Sequence, residues 1–483
     1  MSSFALSLRS QVARANISLG QGDIDRALGI AHDFVERIVT EPLCTSQVFG
    51  SRLLDDLCFR IGCANLRAMS SSQSVAPPAV EGRARIAYVV SRLQSSGGHL
   101  RLILDFIRSQ PEKDHVIYAT GVAGPSDERF LVAALARCGN ACFVAAPRGS
   151  FGSRLTWLQN VLHALRPEHA YLFNHHQDSV AVAALVPQLG VPGSFCHHGD
   201  HHLCLGVYLD HLTHIDLHPM GYHYCRAELG VQNHYLPLTF EDHGYVPVRT
   251  AFSSGGVLTT ATVARSNKVE IPYYVSYLEL IPQVLKVTGG RHLHIGRLTP
   301  WAIRGMRSKM RELGVPQDRL IYMDWTASVW KSLQEHKVDV YLASFPYGAG
   351  LTLIEAMGAG IPVIMHRHMY SRVLSGLELA YPEAFHWSDP NALLDYLGAM
   401  EPKELWKEGQ IARRWYETYH RPEVLRAYLR DPASFNLPVP PLAIDFELCL
   451  DEWAAWAESQ LSFPRLAYRS AYRLGRRIRS CLS

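Results

Sequence analysis

Three groups of residues have types and spacings that could do chemistry. Phe345-Pro346-Tyr347-Gly348-Ala349-Gly350 is a turn whose glycines let backbone approach a ligand closely, and it feeds apolar residues at helical spacing from Leu351 to Ala359. The N–H groups of Gly350 and Leu351 at that helix tip, with the helix dipole, favour an anion. Glu355 sits one turn in. It would repel a phosphate but can accept hydrogen bonds from both hydroxyls of a ribose; an exposed or capping charge fits the same position. Arg265 and Lys268 stand three residues apart in the polar run TTATVARSNKVE. Arg can grip two diphosphate oxygens and Lys supplies a compact point charge, the alternative being two solvated surface charges. Histidines are concentrated at His175-His176, in HHGDHH at 197–202, and at His211, His214, His218 and His223. They suit a wall of hydrogen-bonding groups around hydroxyls, a zinc site drawn from Cys196, His198, Asp200 and His201, or ordinary loop positions.

The elements that must position these residues alternate. Strands are expected at 85–90, 114–119, 141–145, 169–173 and 192–196, with helices from Gly98 to Arg108 and at 126–138, 152–165 and 178–189. A second series follows, with strands at 256–261, 292–296, 319–323, 338–343, 361–365 and 384–387 and helices between them. Such alternation predicts two α/β domains with doubly wound parallel sheets. Ser95-Ser96-Gly97-Gly98 follows the first strand and can set N–H groups against a phosphate or acceptor; it lacks the G-x-G-x-x-G spacing, which argues against a dinucleotide. Residues 1–69 read as a small helical segment, 70–82 as a linker, 83–250 and 251–420 as the two domains, and 421–483 as a helical tail.

Composition narrows the classes. At 483 residues with 48% hydrophobic and 19% charged residues and a net charge of +3, the chain has ample core and no excess charge that would point to nucleic acid. Its ten cysteines contain no C-x-x-C, which fits a reducing compartment. No apolar run approaches the ~20 residues that span a bilayer, so a cytoplasmic location is expected. Arginines and apolar residues interleave at 465–479 as in a basic amphipathic helix, suited to an anionic inner membrane face or to a solvated tail.

The run GAGLTLIEAMGAGIPVI resembles the nucleotide-sugar motif in the C-terminal domain of GT-B glycosyltransferases, whose large retaining group places its Glu on the ribose. SFPYGAGLT is similar to the loop of O-GlcNAc-transferase-like and bacterial protein-glucosyltransferase-like enzymes, which share the fold but invert. The retaining Glu-x7-Glu motif sets its first Glu at position 347, and here stands Tyr347. YLFNHHQDSVAVAAL resembles a strand-loop-helix that puts His176 near the sugar. The resemblance covers residues 84–420 and implies two Rossmann-like domains with a cleft between them. It implies a nucleoside-diphosphate-sugar donor on Arg265, Lys268, Gly348, Gly350, Leu351, Thr352 and Glu355, with Gly97, Gly98 and Asp324 nearby. His176, or otherwise His198, would meet the sugar or the acceptor proton. Neither a metal nor another cofactor is implied, and the acceptor is a glycan, a lipid-linked sugar or a protein. Two further readings stand beside it. Cys196-x-His198-x-Asp200-His201 is similar to the zinc motif of metallo-β-lactamase-like hydrolases, and the fold could serve as a non-catalytic scaffold.

Overall fold

A computed structural model describes residues 7–41, 45–46, 48–70, 82–94, 98–245, 256–348, 350–369 and 371–442, with scattered positions between 454 and 475. Most of the expected linker, Gly97 and most of the basic tail lie outside the described residues. The chain divides into two compact units, the first built on residues 1–217 and 221–236, the second on 237–465 with 218–220.

The first unit holds β1 (Arg85–Val90), β2 (Asp114–Ala119), β3 (Ala141–Ala145), β4 (His169–Phe173), β5 (Gly193–His197), β6 (Thr213–Asp216) and β7 (Asn233–Tyr235). Their order is β3-β2-β1-β4-β5-β6-β7, and every pairing is parallel. Ile86 to Val90 are all buried, as a strand covered on both faces requires. β6 and β7 were not expected from the sequence. Thr213-His214-Ile215-Asp216 buries polar residues where an apolar alternation would have announced a strand.

Helices Leu8–Gly20, Ile24–Val39 and Arg52–Ser70 belong to the first unit's core. Leu28, Ala31, Val35, Leu57 and Ile61 pack in one cluster with Leu155, Leu158, Leu162 and Val182. Polar ties reinforce this: Asn65 donates to Gln159 at 2.8 Å, and the buried Asp55 carboxylate accepts the Gly206 and Tyr208 N–H groups at 2.7 and 2.9 Å.

The second unit holds β8 (Thr259–Val263), β9 (Arg291–Ile295), β10 (Leu320–Met323), β11 (Val340–Leu342), β12 (Val363–His366) and β13 (His386–Trp387) in the order β10-β9-β8-β11-β12-β13, again all parallel. Its core runs through Tyr277, Ile281, Leu285, Met306, Val340, Leu342 and Ile364. Among the described residues, no helix is long and apolar enough to cross a membrane.

Candidate functional site

In a doubly wound sheet, ligands bind beyond the carboxyl ends of the strands where the strand order reverses. In the second unit that point lies between β8 and β11. The loop after β8 carries Arg265 and Lys268, and the loop after β11 is Ala343 to Gly350. Two bonds join them: Lys268 Nζ donates to the Gly348 carbonyl at 2.7 Å, and the Tyr347 N–H donates to the Lys268 carbonyl at 3.5 Å. Arg265 is exposed at the N-cap of the short helix Ser266–Val269. The Lys268 side chain keeps some contact with solvent while its ammonium is crowded by protein, and that burial pulls its pKa from 10.5 down to about 8. Gly348 has no room for a side chain, since a Cβ there would stand 2.8 Å from the carbonyl oxygens of Leu374 and Ser375.

Helix Leu351–Gly358 starts at Gly350, which offers no side chain to cap the first-turn N–H groups. The Thr352 hydroxyl is held 2.9 Å from that of Tyr341. Glu355 is buried, and its Oε2 accepts the Trp330 N–H at 3.0 Å, at the start of helix Val329–Glu335. The carboxylate therefore ties two helices together, a capping role that the sequence left as an alternative to ribose binding. Asp324 is exposed just after β10 beside Trp325, which leaves 64% of its surface to solvent.

In the first unit the strand order reverses between β1 and β4. There the His175 N–H donates to Ser91 Oγ at 2.8 Å, so the loops after those strands are joined as well. His99 lies edge-on to His198 at a ring separation of 3.8 Å, His175 packs against His99 at 5.0 Å, and His176 stands 5.0 and 5.8 Å from His201 and His202. Burial pulls His99 to about 4, His175 and His202 to about 3, and His176 and His198 well below the ordinary imidazole value. All five rings are neutral near pH 7. Ring nitrogens Nδ1 of His175 and His202 and Nε2 of His176 and His198 are buried without a hydrogen-bond partner. Gly199 lets the 198–202 loop lie on His176, because a Cβ there would come within 2.9 Å of His176 Nε2.

His176 and His198 are thus brought into one cluster, while Gly98, at the start of helix Gly98–Ser109, is exposed. His99 was missed. It follows the singled-out glycines directly, and only the fold turns it toward His175 and His198. The Cys196-His198-Asp200-His201 set does not form a metal-binding group; among the described residues the group with that geometry is His197, His214, Asp216 and Cys225. The metallo-β-lactamase-like reading also required an antiparallel sheet, and all strand pairings described here are parallel.

No family model and no curated protein sequence matches the chain. Solved structures do. HepE of Anabaena is similar with a TM-score of 0.55 at 10% identity, covering 72% of this chain and 99% of that one. This chain has the GT-B fold. A variant of the Thermobaculum terrenum O-GlcNAc transferase is similar at 0.52 with 14% identity, over 88% of this chain and 83% of its own. The lipopolysaccharide outer core galactosyltransferase WaaB gives 0.51 at 14% identity, over 72% and 99%. HepE has been solved with UDP, with UDP and glucose, and with UDP-glucose. At such identities the GT-B fold is carried by strand order and crossover geometry, with few shared side chains.

Proposed function

We propose that the chain moves a glycosyl group from a nucleoside-diphosphate sugar to an acceptor hydroxyl. The observation that carries this reading is the partly desolvated Lys268 ammonium, 2.7 Å from the Gly348 carbonyl at the switch point of the second sheet, beside an uncapped helix tip. In the transfer, the bond from the anomeric carbon to the diphosphate breaks and negative charge grows on the leaving group. Lys268, Arg265 and the N–H groups of Gly350, Leu351 and Thr352 stabilise that charge. They take the part a divalent ion plays elsewhere, so the transfer itself calls for no metal. The Glu355 carboxylate, which holds the Trp330 N–H, is assigned to the ribose hydroxyls as well. The backbone at Asp324, with the exposed Trp325 ring, borders the base.

The acceptor oxygen bonds to the anomeric carbon and gives up its proton, which ends on the departing diphosphate or in solvent. A group that takes this proton works best with a pKa near the working pH. His176 and His198 are held far below that by burial. We therefore assign them to holding sugar hydroxyls, as neutral rings with unpartnered nitrogens. The UDP complexes of HepE make UDP the first nucleotide to try. The acceptor is a glycan, a lipid-linked sugar or a protein, and retention or inversion is read from the product's anomeric configuration. A thermal-shift screen of UDP, GDP and dTDP tests the reading: one should raise the melting temperature by a few degrees, and its sugar conjugates should then turn over. No shift with any of the three would refute it and favour a fold kept as a scaffold.

A further inference from the structure

We propose that His197, His214, Asp216 and Cys225 hold a structural zinc ion in the first unit. His214 and Asp216 are two residues apart on β6 and so share a face of the sheet. His197, the last residue of β5, pairs with Asp216 across the parallel ladder and joins them on that face. Helix Pro219–Ala227 lays Cys225 over the three. All four residues are 4% exposed or less.

Their ligand atoms lie within 4.8 Å of one another. Cys225 Sγ is 3.5 Å from His197 Nδ1 and 3.6 Å from Asp216 Oδ1; His197 Nδ1 is 2.9 Å from Asp216 Oδ1, and His214 Nε2 is 3.3 Å from Asp216 Oδ2. Zinc with bonds of about 2.0–2.2 Å to nitrogen and oxygen and about 2.3 Å to sulfur has tetrahedral edges of about 3.3–3.7 Å. The separations of 3.3, 3.5 and 3.6 Å match such edges, the 2.9 Å one would have to lengthen, and all the ligand atoms lie within the 4.8 Å that a small adjustment closes.

His214 supplies a further geometric observation. Its Nδ1 donates to the Val207 carbonyl at 3.2 Å, which leaves Nε2 facing Asp216. Nε2 is buried without a hydrogen-bond partner, 3.3 Å from Asp216 Oδ2, where a cation would bond both groups. A carbonyl on the far ring nitrogen is also the usual outer partner of a metal-bound imidazole. Asn233 Nδ2 orients the carboxylate from behind, donating to Oδ2 at 2.6 Å, and is itself held by Arg226 through Oδ1 at 3.0 Å. Gly221 lets the helix come this close, since a Cβ there would stand 3.0 Å from Asp216 Oδ1.

Charge selects the ion. One thiolate, one carboxylate and two neutral imidazoles balance a divalent cation in a site where a net charge would be costly. Cys225 releases its thiol proton to solvent as the metal binds. Mixed sulfur, nitrogen and oxygen donors in a closed four-coordinate set suit zinc in a structural role. The ion would pin the end of β5, where the loop carrying His198, His201 and His202 begins.

Elemental analysis of the purified full-length protein should find one zinc per chain. After chelation, added zinc should raise the melting temperature by several degrees. Added cobalt should give the visible bands of a tetrahedral site and a thiolate-to-cobalt charge-transfer band in the near ultraviolet, and Cys225→Ser should abolish the charge-transfer band. Metal-free protein that neither gains stability from zinc nor develops cobalt bands would overturn the proposal. So would a charge-transfer band that survives Cys225→Ser. Should that variant not fold, the wild-type cobalt spectrum decides alone. None of these readouts depends on glycosyl transfer.

Discussion

Replacing Lys268 by Met separates a ligand-binding cation from a structural one. In the free protein the ammonium has already been drawn out of water: a pKa lowered from 10.5 to about 8 corresponds to about 3 kcal/mol of unfavourable desolvation. Met removes that cost but leaves the Gly348 carbonyl without its donor, a loss of about 1–3 kcal/mol. The two nearly cancel, so the melting temperature should change little. Binding should not escape so lightly. Losing a charge-assisted bond to the diphosphate costs about 2–3 kcal/mol, a weakening of roughly 30- to 150-fold. The pH profile supplies an internal check. Because burial depresses the free lysine's pKa and a bound diphosphate raises it again, binding takes up a proton above about pH 8. Wild-type affinity should therefore fall on the order of 30-fold between about pH 7 and pH 9.5, and the Met variant should be flat. Isothermal titration calorimetry with the nucleotide found in the thermal-shift screen measures both. A variant that melts many degrees lower yet binds within about threefold of wild type would show the lysine to be a structural tie and refute the reasoning.

Other perturbations test the remaining parts. Glu355→Gln keeps an acceptor for the Trp330 N–H but removes the charge; discrimination between UDP and 2′-deoxy-UDP, expected at about tenfold in wild type, should shrink to about twofold, and equal discrimination in both proteins would leave Glu355 only its capping role. Gly199→Ala pushes a methyl group against His176 and should lower stability by about 1–3 kcal/mol and suppress turnover, as chemical unfolding and a sugar-release assay would show; unchanged values would mean the 198–202 loop does not bear on His176. Burial raises the Asp55 carboxyl from 3.8 to about 7 against two backbone N–H bonds. The folded state then holds this proton more tightly than the unfolded chain, so the group's contribution to stability declines as pH rises from about 4 to 7. Asp55→Asn should flatten that decline in urea titrations, and an unaltered slope would refute the shift.

The sequence by itself determined the strands and helices whose buried faces are apolar. β1 to β5, β8 to β13 and the helix from Leu351 all fall where hydrophobic periodicity sets them, within a few residues. It also determined two doubly wound parallel sheets, because alternating strands and helices leave little choice of connection, while the GT-B expectation came from the resemblance carried by GAGLTLIEAMGAGIPVI. β6 and β7 were illegible for the opposite reason: His214, Asp216 and Asn233 are buried polar residues, with Asn233 bonded to Asp216 across the strands, and periodicity reports only apolar burial. Tertiary structure alone decided which residues meet. Lys268 and Gly348 are 80 positions apart, and His99 meets His198 across β1, β4 and β5. Such pairings follow from where the winding reverses, a property of strand order that no local spacing encodes. Glu355 shows the same limit. Its place one turn into a helix was readable, but its bond to Trp330 depended on which helix packed beside it.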